Sequence, residues 1–146
     1  MSEIFVDTIR KPGGSLGTDI RIKNTSVYES DGGTSVTQNL VQGLAKSWVN
    51  FNGTGTIAAR DSLNNASLTG NGTGHYTITL TNAMNNANYV ATFGDSAADS
   101  NHDGGWLGIR NGTTNATDSF IVTTDGRITG EFDPLYTMAS VLGDLA

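Results

Sequence analysis

Short runs of alternating polar and apolar residues, each closed within a few positions by glycine, asparagine or aspartate, constrain this chain more than any other feature. Successive side chains on a strand point to opposite faces, so such a run buries one face and wets the other; an amphipathic helix needs apolar residues three or four apart. His75-Tyr76-Thr77-Ile78-Thr79-Leu80-Thr81 is the clearest alternating run. Ser47-Trp48-Val49-Asn50-Phe51 places Trp48 and Asn50 on one face and Val49 and Phe51 on the other, and Asn52-Gly53-Thr54-Gly55 then turns the chain into residues 56–60. That order of alternation, glycine turn and second run predicts a hairpin. Further strands are expected at residues 89–93, 106–110, 119–124 and 127–129, with 63–68 read as a polar connector and 70–74 as a glycine-dense turn. The closing segment 135–142 is ambiguous. Pro134 suits a first helical turn, and Leu135, Met138, Ala139 and Leu142 share a helical face, whereas Tyr136, Thr137 and Val141 favour a strand, which is the preferred reading.

Composition supports an all-β chain. Thr 20, Gly 19, Asn 14 and Ser 12 dominate its 146 residues, supplying β-prone positions and turns, while charged residues make up only 15%. A chain of this length has material for one modest core. The absence of cysteine excludes disulfides, thiolate metal sites and a cysteine nucleophile. A net charge of −6 argues against nucleic acid or an anionic lipid surface as partner, because both require clustered Lys and Arg. No run approaches the 18 or so apolar residues of a membrane span, and Met1-Ser2-Glu3-Ile4 lacks the basic start of a secretory signal, so neither membrane insertion nor export is expected.

The chain divides by texture. Residues 1–43 hold short runs at Ile4-Phe5-Val6-Asp7-Thr8-Ile9, Asp19-Ile20-Arg21-Ile22-Lys23 and 35–42, broken by Pro12-Gly13-Gly14 and Asp31-Gly32-Gly33, with no tryptophan and no large apolar cluster. Such a segment cannot make a core alone and needs partners. Residues 44–146 carry the remaining strands. The expected fold is an N-terminal β arm, 1–43, followed by an antiparallel β-sandwich of jelly-roll-like type, 44–146, with Trp48, Phe51, Ile78, Leu80, Tyr89, Phe93, Phe120 and Val122 as most of the core.

Three constellations invite a catalytic or metal reading, and each has a plainer one. Gly94-Asp95-Ser96 with His102 resembles the signature blocks of GDS-type esterases, but here they crowd into one loop with nothing to orient a base. Asp99, Asn101 and Asp103 before Gly104 imitate the start of a calcium loop, yet Arg110 stands where the closing carboxylate belongs. Glu131 and Asp133 could form a glycosidase pair, but a polar strand edge before Pro134 explains them as well. No catalytic residue, metal ligand or cofactor is assigned. Sequons at Asn24, Asn52, Asn65, Asn71, Asn111 and Asn115 follow from the abundance of Asn, Gly and Thr.

The run Gly43-Leu44-Ala45-Lys46-Ser47-Trp48-Val49-Asn50-Phe51-Asn52-Gly53-Thr54-Gly55-Thr56-Ile57-Ala58-Ala59-Arg60-Asp61-Ser62 resembles a module of marine tailed-bacteriophage virion proteins, often labelled tail-fibre or structural proteins. The similarity continues through Asn71-Gly72-Thr73-Gly74-His75-Tyr76-Thr77-Ile78, residues 84–89 and Leu142-Gly143-Asp144-Leu145-Ala146, and such proteins tend to open on a sequence like 4–9. The resemblance implies a non-enzymatic virion component, assembled in the host cytoplasm. Ile4, Phe5, Val6, Asp7 and Ile9 would anchor it to other virion proteins, and three copies would complete one another's cores as a homotrimer. Two roles follow: a short tail-fibre receptor-binding component, or a capsid decoration protein of the cement or head-fibre kind. In the first, Tyr76, Asp99, His102, Asp103 and Trp106, in and beside the loops at 70–74 and 94–105, are the expected contacts to a host surface glycan.

Overall fold

Alternation decides which residues turn inward, and eleven strands result in the computed structural model, which describes residues 27–29, 37–39, 43–96, 105–110, 113, 115–126 and 130–146. Strands β1 (Val27–Glu29) and β2 (Thr37–Asn39) form an antiparallel pair of their own. The expected runs at 4–9 and 19–23, and with them the anchor residues Ile4, Phe5, Val6, Asp7 and Ile9, lie outside the described residues.

The remaining strands make two antiparallel sheets, and no helix occurs among the described residues. One sheet has the order β4 (Ala58–Leu63), β3 (Ala45–Asn52), β11 (Thr137–Leu142), β7 (Val90–Asp95). The other holds β5 (Asn65–Gly72), β6 (His75–Leu80), β9 (Ser119–Gly126), β8 (Gly105–Ile109) and β10 (Gly130–Glu131). Val122 of β9 pairs with Tyr76 on one edge and Ile109 on the other, and Asp125 pairs with both Trp106 and Glu131. Strand β10 therefore extends the β6 side of β9, opposite β8.

The sheets share one core. Val49, Phe51, Ala139 and Val141 of the first meet Tyr76, Ile78, Leu80, Phe120 and Val122 of the second, with Met84 and Tyr89 from the connection between β6 and β7. Phe51 meets Tyr76 edge-on at 5.1 Å, and Tyr89 meets Phe120 at 6.1 Å. Burying each large side chain contributes about 1.5–3 kcal/mol, and edge-to-face pairs add to that. The segment 135–142 is a strand, and its Thr137, Ala139 and Val141 face inward with period two.

Three expectations change. Trp48 is not a core residue: it lies 36% exposed on the outer face, because Val49 and Phe51 occupy the inner positions of the same strand. Residues 63–68 are not a connector. Strands β4 and β5 meet there around Asn64, whose left-handed backbone (φ 56°) carries the chain from one sheet to the other. The Asn64 amide donates to Lys46 O and Asn82 O, and its carbonyl accepts from Asn82 N, so this corner is tied on both sides. Finally, β5 extends through Gly72, which confines the glycine turn to Thr73-Gly74.

Candidate functional site

Register builds a continuous row on the outer face of the second sheet. Residues directly paired across antiparallel strands share a face with Cβ atoms about 4.5–5.5 Å apart. Trp106 of β8 pairs with Asp125 of β9, which pairs with Glu131 of β10. The next row toward the sheet centre is Gly108, Thr123 and His75. Trp106 is 75% exposed, Asp125 is exposed, and among the described residues beside the indole Gly126 and Gly130 carry no side chain. Trp106, Asp125, Gly126 and Gly130 line an open depression of about 410 Å³. An indole held on a strand and left in water is a ready surface for the apolar face of a ligand.

A polar chain fixes the inner side of this face. His75, 6% exposed, lies between Arg110, just past β8, and Glu131. Arg110 Nη1 is 2.9 Å from His75 Nδ1, and a guanidinium can only donate, so Nδ1 accepts and the ring proton sits on Nε2. Glu131 Oε1 approaches Nε2 to 2.7 Å, off the line of an aligned hydrogen bond. Gly108, whose Cβ position faces open space, leaves the face uncluttered where Arg110 crosses β9. The result is a neutral imidazole holding a cation and an anion on opposite sides.

At the end of the sandwich a second polar cluster is structural. Tyr76 is fully buried, and its hydroxyl donates to Asp133 Oδ1 at 2.6 Å while Gly74 N donates to the same oxygen at 2.7 Å. Burial first, then the hydrogen bond to Asp133 and that carboxylate's charge, push the Tyr76 phenol up from its ordinary value. Gly53 N donates to Pro134 O, and a Cβ on Gly53 would fall 2.6 Å from the Tyr76 hydroxyl. Tyr76 is therefore withdrawn as a glycan contact: it shares the inward face with Ile78 and Leu80 and has no surface to offer. Glu131 and Asp133 serve different clusters, Glu131 the outer face through His75 and Asp133 the core through Tyr76.

The outer face of the first sheet is different in kind. Trp48, Asn50, Thr92, Gly94, Met138 and Ser140 line an open groove of about 500 Å³. Leu63, paired with Trp48, and Val90 extend its exposed apolar character.

Of the expected contacts, Trp106 alone is described and exposed; Asp99, His102 and Asp103 lie outside the described residues. Ser96, proposed above as part of an esterase-like motif, uses its Oγ to accept from Tyr136 N at 3.0 Å. Among the described residues no three His, Asp or Glu side chains gather as metal ligands, and no helix is long and apolar enough to cross a membrane. No protein-family model matches the chain, and no curated protein or solved structure is significantly similar to it.

Proposed function

We propose that this protein is a receptor-binding component of a bacteriophage virion, of the short tail-fibre type, which attaches to a host surface saccharide through the β8–β9–β10 face of a jelly-roll-like sandwich. The observation that carries this reading is the position of Trp106: a 75%-exposed indole on a rigid strand, in register with the exposed carboxylate of Asp125. Stacking on the apolar face of a sugar and accepting its hydroxyls need that pair of groups and no bond-making machinery. The chain's resemblance to virion proteins and its acidic, threonine- and glycine-rich composition support the same reading. Residues 1–43 anchor the chain to other virion proteins, and three copies associate.

A second reading, capsid decoration, draws on the apolar outer face around Trp48, Leu63, Val90 and Met138, which suits contact with protein. Particles carrying Trp106→Ala separate the two. The receptor-binding reading expects normal particle yield and impaired adsorption to host cells; unchanged adsorption with a loss of head stability on Trp48→Lys establishes decoration instead.

A further inference from the structure

We infer that the Trp106 face selects an uncharged saccharide and rejects uronate-, sialate- and sulfate-bearing ones, with Asp125 as the residue that determines this specificity; the inference rests on the saccharide-binding reading. Across the row, Trp106 offers an apolar plane and Asp125, one register position away, offers a carboxylate with no hydrogen bond or ion pair to any described residue. Ionised carboxylate oxygens only accept, so their partners on a ligand must be donors: sugar hydroxyls or amides, not another carboxylate or a sulfate.

The neighbouring cation does not reverse that preference. Arg110 directs Nη1 at the buried His75 Nδ1, and on the far side of the same imidazole stands Glu131. The Arg110 and Glu131 charges balance across the His75 ring, which leaves Asp125 as the uncompensated charge among the described residues of the face. An anionic sugar stacked on Trp106 thus approaches the Asp125 carboxylate, where like charges repel. A neutral sugar meets the same carboxylate with hydroxyls. A site built to receive donors rejects a ligand that lacks them more strongly than an apolar pocket rejects a missing methylene.

The purified full chain, applied to a glycan microarray carrying neutral hexose and N-acetylhexosamine oligosaccharides beside uronate-, sialate- and sulfate-bearing ones, tests this directly. Binding is expected on neutral glycans only. Trp106→Ala, at an exposed edge-strand position, abolishes it while the far-ultraviolet circular dichroism spectrum is unchanged. Asp125→Asn, which retains the shape but replaces two acceptors by one acceptor and a donor, weakens neutral binding about tenfold or more and admits anionic glycans. Anionic glycans bound by the wild type as well as neutral ones, or neutral binding indifferent to Asp125→Asn, overturns the specificity while the Trp106 dependence keeps the saccharide reading. Absence of binding to any glycan class, or binding indifferent to Trp106→Ala, overturns both.

Discussion

Asp133→Ala should be among the most damaging single changes in this protein, although it removes a partly exposed carboxylate. Its Oδ1 accepts from the Tyr76 hydroxyl at 2.6 Å and from Gly74 N at 2.7 Å, and the tyrosine is fully buried. After truncation the hydroxyl retains only a 3.4 Å contact to Gly53 O. A hydrogen bond to a charged group contributes about 1.5–3 kcal/mol, and a buried donor left unpaired costs about 1–3 kcal/mol. Two such donors, discounted for water reaching Gly74 N, give a loss of roughly 3–4 kcal/mol. For a domain of this size that lowers the melting temperature by roughly 6–15 °C. Tyr76→Phe removes the donor and its partner bond together, leaves Asp133 bound to Gly74 N, and should cost about half as much. Differential scanning calorimetry of the wild type, both single variants and the double variant closes a thermodynamic cycle with a coupling of about 1–2 kcal/mol. A loss below about 1 kcal/mol for Asp133→Ala, or strictly additive single changes, refutes the reasoning.

Three further outcomes follow from the geometry. Tyr89, which donates to Ala116 O and Ser119 O, has its phenol pushed up to about 12, by burial first and by the Asp118 charge second. A raised folded-state value means stability is complete below pH ~10 and falls as pH rises toward 12, by at most about 2–3 kcal/mol; denaturation curves for Tyr89→Phe should lose that share of the alkaline slope. Gly74→Ala combines a left-handed backbone (φ 69°) with a Cβ 2.6 Å from Thr124 O and should cost more than about 2 kcal/mol, whereas Gly130→Ala, left-handed (φ 72°) in open space, should cost only about 1 kcal/mol. Equal costs on urea denaturation would remove the packing part of that argument. In nitrogen-15 NMR the neutral form of His75 should carry its proton on Nε2; a neutral form with the proton on Nδ1 contradicts the Arg110 contact.

Much of the sandwich was legible because alternation and burial obey the same period. The pattern of 75–80 already contained the fate of Tyr76, which shares a face with Ile78 and Leu80; proximity to the glycine turn outweighed it in the reading of contacts. Trp48 is the same case, since Val49 and Phe51 claimed the inner face. Strand β4 was legible as the second arm of the hairpin after Asn52-Gly53-Thr54-Gly55, and it pairs with β3, although it runs on to Leu63; β5 was missed because its residues are mostly exposed, and polar side chains on both faces erase the alternation. Only topology brings His75, Arg110 and Glu131 together: three separate strands or strand ends meet around β9, and no local spacing encodes that. Asp125-Gly126 lies directly opposite Trp106-Gly105, a pairing between distant strands that no local spacing announces.

Chemical-shift mapping tests the Trp106 face as the binding surface most directly. With the labelled full chain and a neutral oligosaccharide that it binds, shifts are expected at the Trp106 indole and at the amides of Asp125, Gly126, Gly130 and Glu131, with Trp48 and Met138 unmoved. Shifts centred on Trp48, Thr92 and Met138, with Trp106 unmoved, contradict the assignment and transfer the binding role to the opposite sheet.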